Sequence, residues 1–210
     1  MVGIVYSPSE SINFFATYST AFETPTTESA NPSAAGGFNP DIKPQLAASV
    51  ELSLSSEPVE RLKLSLAYTY SRFKFERFID DGDNDFSGNV LPGIPEQLIR
   101  GEIAFRRSSS LYGALNFLSV GNLFVNNANS VTSESYEVVN FRAGLAGWKL
   151  GHWMLSPFVG VNNLSDQNYA ANVRINAFGG RYFEPAPSRH LFGGVAIRYS
   201  FGQAQGAVTP

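Results

Sequence analysis

From Leu191 onward the side chains alternate strictly, and that period of two restricts the segment to a β-strand. Leu191, Gly193, Val195, Ile197, Tyr199 and Phe201 share one face, while His190, Phe192, Gly194, Ala196, Arg198 and Ser200 share the other. The first face is oily and closes on an aromatic pair; the second carries Arg198. A barrel wall between lipid and a polar lumen has this character. The segment therefore places the chain at a membrane, although no stretch reaches the roughly 18 consecutive apolar residues that a spanning helix needs.

The same grammar recurs upstream, and no 3.6-residue periodicity competes with it. Leu46, Ala48, Val50, Leu52 and Leu54 alternate with Ala47, Ser49, Glu51, Ser53 and Ser55. Leu62, Leu64, Leu66, Tyr68 and Tyr70 oppose Lys63, Ser65, Ala67, Thr69 and Ser71. Ile99, Gly101, Ile103 and Phe105 oppose Arg100, Glu102, Ala104 and Arg106. In each run the charges fall on one face. A Lys or Arg facing lipid at mid-bilayer costs about 2–4 kcal/mol, whereas one facing a wet lumen costs little. A soluble sandwich alternates too, but its polar face carries more Lys and Glu than the Ser, Thr, Ala and Gly found here. After Tyr70 the phase slips, and Phe73 and Phe75 oppose Arg72, Lys74 and Glu76. About ten tilted residues cross a bilayer, so a strand starting near Arg61 leaves the membrane there and the lipid constraint lifts.

Composition alone does not separate a sandwich from a barrel. The 210 residues are 43% hydrophobic and the mean hydropathy is -0.08, values that suit a barrel because each strand gives lipid only half its residues. Phe 17 and Tyr 9 against Met 2 and Trp 2 is the aromatic surplus of interfacial girdles. The absence of cysteine is compatible with an envelope protein. A net charge of -3 without a basic cluster argues against nucleic acid. Met1 to Tyr6 lacks a basic region and a cleavage site, so an exported chain is expected to begin partway through a larger protein.

Connections alternate short and long. Ser7 to Glu10, Ser56 to Glu60, Arg107 to Ser110 and Lys149 to His152 are short; Glu23 to Lys43, Asp80 to Pro95, Asn126 to Ser135 and Val173 to Ser188 are longer. Short turns at one end and long loops at the other mark an up-and-down membrane barrel. The count comes to about nine strands, the first looking cut short. An odd number does not close the even-numbered way bacterial barrels favour, and an open edge in lipid leaves backbone groups unsatisfied. The expectation is an all-β, antiparallel up-and-down transmembrane barrel portion over residues 1–201, followed by a polar tail over 202–210.

Several segments resemble the C-terminal barrel half of TonB-dependent outer-membrane receptors. These are Tyr18 to Thr26 (YSTAFETPT), Asn39 to Leu52 (NPDIKPQLAASVEL), Leu91 to Gln97 (LPGIPEQ), Val161 to Tyr169 (VNNLSDQNY) and Gly180 to Phe201 (GRYFEPAPSRHLFGGVAIRYSF). They run in family order from about Ile12 to Phe201. Departures from the family pattern are Gln45 for Glu, Ser165 for Phe, Ala186 for Gly, and the GQAQGAVTP tail after the terminal aromatic. The resemblance implies a wall segment of a wide barrel of about 22 strands around a plugged lumen. It implies a transporter, not an enzyme, that takes up a ferric siderophore or similar scarce ligand, with energy relayed by the TonB complex through a plug that no residue here matches. Outer-membrane lipid and the barrel-insertion machinery are the other implied partners, with Tyr199 and Phe201 as the C-terminal insertion signal.

Candidate sites are few. Asp80 to Asp85 (DDGDND) crowds four carboxylates around a glycine, but an EF-hand loop needs Glu at its twelfth position, where Pro92 or Ile94 stands. A solvated hairpin loop is the better reading. His152 sits in a short turn beside Trp153 and His190 beside Arg189, neither at ligand spacing from a carboxylate or a second His. Ser188, near His190, lacks a nucleophile motif. No catalytic residue, metal or cofactor is expected. The NNLSD run suits a bulge or turn. Arg174, Arg181 and Tyr182 in the last outer loop, with Phe124 and Tyr136 near another, have the charge and rings to meet an anionic, aromatic-bearing ferric chelate. Two other classes stay open: a small passive outer-membrane barrel or adhesin, whose first and last strands would pair, and a secreted carbohydrate-binding β-sandwich.

Overall fold

The structure, a computed structural model, describes residues 1–23, 45–59, 61–80, 82–106 and 111–201. The expected connection across 24–43, the turn 107–110, Asp81 and the tail 202–210 lie outside the described residues.

The strands form one antiparallel meander: β1 (Val2–Ser9), β2 (Ile12–Glu23), β3 (Gln45–Val59), β4 (Leu62–Lys74), β5 (Gln97–Arg106), β6 (Leu111–Val120), β7 (Tyr136–Leu145 with Trp148–Leu150), β8 (Trp153–Asn162) and β9 (His190–Tyr199). The two pieces of β7 pair along the same edge of β8 and are one strand broken by a bulge. There Leu145, Ala146 and Gly147 oppose only Ser156 and Pro157. Gly147 takes φ +76, and its N–H donates to Ser156 Oγ at 3.0 Å. A proline inside a central strand lacks a ladder donor, and a bulge is where that is tolerated. Every wall strand pairs with its sequence neighbour, as in an up-and-down barrel. That single sheet overturns the sandwich, which needs two sheets face to face. Among the described residues no ladder joins β1 to β9, so the closed small barrel is not formed either.

Register carries the alternation across the whole sheet. Directly opposed residues share a face, and one row runs Tyr6–Phe14–Leu54–Leu66–Gly101–Phe117–Val139 through the ladders. A second runs Ile103–Leu115–Phe141–Val161–Leu191. This apolar face is bordered at the short-turn end by Tyr6, Phe14, Phe105, Trp153 and Tyr199, and towards the long loops by Tyr18, Tyr68 and Tyr70. Trp153 and Tyr199 pack at 4.7 Å between ring centroids, and Tyr199 meets Phe201 at 4.9 Å. The opposite face carries Lys63, Arg100, Glu102, Arg106, Arg142 and Arg198, and is the lumen side of a barrel wall. There Phe158 and Phe192 lie over Gly194 and Gly160, and the Arg142 guanidinium stands 4.4 Å from the Phe158 ring centre.

The phase slip after Tyr70 is not a backbone irregularity. The β3–β4 ladder continues unbroken from Ser56–Leu64 to Leu46–Lys74, so Arg72 and Lys74 stay on the face of Leu64 and Tyr68. What ends there is the apolar demand, not the strand. A smaller correction concerns the first turn: Ser7 to Ser9 belong to β1, and only Glu10 and Ser11 separate it from β2.

Candidate functional site

Little of a lone wall is buried, and the tightest packing sits at its loop end and in the connections beyond it. Of the four buried hydrophobic side chains described, Val125, which is fully buried, and Phe75 lie in the long connections, while Val120 and Val138 lie at the loop end of β6 and β7. Those connections, 75–96, 121–135 and 163–189, are knitted together by asparagines. Asn129 Oδ1 accepts from the Val90 N–H at 2.8 Å while its Nδ2 donates to the Val90 carbonyl at 2.8 Å. Asn89 Nδ2 donates to the Asn127 carbonyl at 2.8 Å, and the Asn127 N–H donates to Asn176 Oδ1 at 2.9 Å. Asn129 and Asn176 adopt φ of +52 and +53, which asparagine tolerates because its short amide bonds locally. Gly93, at φ +83, packs so close to Ile175 that a side chain would collide with it. The loops thus form one cap over the outer end of β4 to β9.

The five sequence-predicted ligand residues all touch this cap but do not converge. Arg174 is held by Glu184, with Nε donating to Oε1 at 2.6 Å, across the small ladder of Ala170–Val173 with Phe183–Pro185. Tyr182 is half-buried and meets Phe183 edge-on at 6.1 Å; its carbonyl accepts the Arg174 N–H. Arg181 is exposed at the hairpin tip beside Phe178, which is 99% exposed. The Phe124 carbonyl accepts the Gly93 N–H at 2.7 Å, tying two loops. Tyr136 stacks on Tyr169 at 4.4 Å. Of the two arginines, only Arg181 keeps an uncommitted guanidinium among the described residues. The Arg174–Glu184 pairing is invisible in sequence because the partners sit on two strands of a hairpin.

Asn172 donates to Glu184 Oε2 at 3.2 Å, and this bond, then Arg174, holds the Glu184 carboxyl below its ordinary value of 4.5. A depressed carboxylate stabilises the fold above its unfolded pKa, and that contribution fades as pH falls through the lower folded value. Hydrogen exchange across 174–183, taken as a ratio to a Glu184→Gln protein, is expected to show protection at pH 6 that vanishes at acid pH. Equal ratios at both pH values would rule the coupling out.

The remaining candidates are structural. Asp80 Oδ1 accepts from the N–H groups of Gly82 and Asn84 at 2.9 and 3.0 Å, and the Asn84 side chain, first among these contacts, holds the carboxyl below its ordinary value. That is a hairpin loop closing on itself, and among the described residues no group of three or more potential ligands is placed to hold a metal. His190 is engaged at both ring nitrogens, by Asn162 Nδ2 at 3.0 Å and the Ser188 carbonyl at 3.1 Å. His152 packs against Tyr199 at 5.9 Å between ring centroids. Asn163, in the NNLSD run, is the most buried polar residue described, 2% exposed and at φ +54. Its Nδ2 donates to the carbonyls of Gln167 and Pro187, and its Oδ1 accepts the Gln167 N–H at 2.8 Å. Three residues on, Asp166 Oδ1 accepts the Arg189 N–H at 2.7 Å, fixing the start of β9.

A family model described as TonB dependent receptor-like, beta-barrel, matches residues 1–74 and 50–164. The ferrioxamine receptor of Yersinia enterocolitica is 23% identical over 172 residues, which are 81% of this chain and 23% of the relative. The siderophore receptor PiuA from Acinetobacter baumannii superposes with a TM-score of 0.60 at 16% identity, over 93% of this chain and 34% of its own. The copper transporter OprC superposes with a TM-score of 0.60 at 15% identity, over 95% and 30%. The chain thus spans less than a quarter of the curated relative and about a third of the solved structures. A meandering wall with an aromatic-bordered lipid face, and a family match over most of its strands, lead to one conclusion: the chain belongs to the TonB-dependent receptor β-barrel family, proteins of the outer membrane of Gram-negative bacteria.

Proposed function

We propose that this chain is the C-terminal wall and outer-loop cap of a receptor that imports a scarce metal chelate, of the ferric siderophore type, in a TonB-dependent manner. The observation that carries the reading is the two-faced sheet: an outward face whose charges, Arg72, Lys74 and Glu137, stay at or beyond the tyrosine border, and a lumen face with Arg100, Arg142 and Arg198 along the wall. Relatives named for ferrioxamine, for siderophores and for copper support metal-bearing cargo as a class. Strand parity supports a partial wall. β1 and β9 run in the same direction, so antiparallel closure requires an odd number of further strands between them. In this reading residues 1–201 are wall and loops, 202–210 is a tail, and energy reaches the cargo through a plug contacted by TonB. Tyr199 and Phe201 act as the signal read by the barrel-insertion machinery.

The test is uptake of radiolabelled iron, supplied as ferrioxamine or as a ferric catecholate, by cells producing the complete receptor. Uptake is expected with at least one chelate and is expected to stop when TonB is deleted. Arg181→Ala is expected to weaken binding of an anionic chelate about tenfold, the effect of one lost charge-assisted hydrogen bond. Arg174→Ala should act mainly through the hairpin it braces. Uptake that persists without TonB would sink the proposal.

A further inference from the structure

The lipid-facing side of β5 to β7 ends in a polar cavity of about 500 Å³. Register places it. Ile99 lies opposite Tyr68 and Ser119, Ser119 opposite Glu137, and Gln97 opposite Tyr70. Gln97, Ser119 and Glu137 therefore share the face of Leu64, Leu66 and Ile103, the face that meets hydrocarbon. They stand level with the tyrosine border of Tyr68 and Tyr70, where the wall emerges into the headgroup layer of the outer leaflet. Gln167, Ser135 and Asn122 complete the lining. Tyr136, expected from sequence to meet a chelate, borders this outward cavity as well.

The chemistry is one-sided. Asn122 Oδ1 is spent on the Ser135 N–H at 2.6 Å, but among the described residues the side chains of Gln97, Ser119 and Glu137 have no partner. They present an amide, a hydroxyl and a carboxylate to the same space, and no Lys or Arg lines it. A phosphate there would face Glu137 without a compensating cation, which is unfavourable near the low-dielectric boundary. A sugar hydroxyl both donates and accepts, so it satisfies a carboxylate and an amide at once. Ile99 supplies an apolar flank for a ring, and the apolar wall below accepts acyl chains.

We infer that this cavity is an interfacial site for an uncharged saccharide unit, the headgroup of an outer-leaflet glycolipid. The inference rests on the outer-membrane wall and not on the cargo, so it stands or falls independently of uptake.

The test uses the complete receptor in nanodiscs of phosphatidylcholine doped with monoglucosyl diacylglycerol or with phosphatidic acid, with lipid retention read by native mass spectrometry. Methyl glucoside in solution, followed by saturation-transfer NMR, forms the arm for free sugar. The glucosyl lipid is expected to be retained over phosphatidic acid. The double variant Gln97→Ala, Glu137→Ala is expected to lose retention about fivefold, the equivalent of one net hydrogen bond, whereas Glu137→Gln keeps most of it. Heat-shifted electrophoretic mobility confirms that each variant is folded. Methyl glucoside binding as tightly as the lipid would leave the saccharide chemistry standing and remove the lipid as its source. Equal retention of phosphatidic acid, or full retention by the folded double variant, would overturn the inference.

Discussion

Leu115→Arg is expected to abolish accumulation of folded receptor in the outer membrane, while Asn116→Arg, one residue further on, is expected to be nearly silent. Leu115 sits mid-strand on the lipid face, opposite Ile103 and Phe141. An arginine there brings a charge into hydrocarbon at about 2–4 kcal/mol near the midplane, a large part of the net stability of a typical domain, about 5–15 kcal/mol. Asn116 faces the lumen, opposite Glu102, so a new arginine stays wet and finds a countercharge. The measurement is the heat-resistant, fast-migrating band in outer-membrane fractions, with urea midpoints for the purified proteins. If both variants accumulate alike, the assignment of faces is wrong.

Asn163→Ala is expected to be the most damaging change in the loops. It removes a donor shared by two carbonyls and the acceptor for the Gln167 N–H, all in a site almost closed to water. Each buried group left unpaired costs about 1–3 kcal/mol. An alanine at φ +54 adds about 1 kcal/mol more from the left-handed backbone. The combined loss is about 4 kcal/mol or more, at the large end for a point mutation. Asn163→Gly keeps the backbone comfortable and is expected to recover only the backbone share. A denaturation midpoint for the alanine protein equal to that of the native receptor would show that the turn does not anchor β9.

Particular elements show how much was legible in advance. The alternation of β9, and of the runs around Leu52, Leu66 and Ile103, identified strands, their outward faces and the membrane, because a pleated strand turns every second side chain to one side. Loop lengths identified the meander, since antiparallel neighbours joined in order put odd and even connections at opposite ends. The turn at Asn163 was legible as a turn from its Asn and Asp, but not as the most buried polar site described. The residues proposed to meet a ligand were chosen by type and loop position only. Arg174 is paired with Glu184 and Tyr136 stacks on Tyr169, Phe124 lends only its backbone carbonyl to a loop-to-loop bond, and Arg181 stays open among the described residues.

The sequence by itself determined strand phase, the lipid and lumen faces and the order of the wall. Each is a local property, written in residues two apart and enforced by the penalty for charge in hydrocarbon. Only the tertiary structure decided that burial gathers where the loop end of β6 and β7 meets the outer cap, that the slip after Tyr70 leaves the ladder intact, and that Gln97, Ser119 and Glu137 share one cavity. Those outcomes depend on register and on hydrogen bonds between residues far apart in the chain, such as Val90 with Asn129 and Asn127 with Asn176. An asparagine reads the same in sequence whether it faces water or holds two loops together.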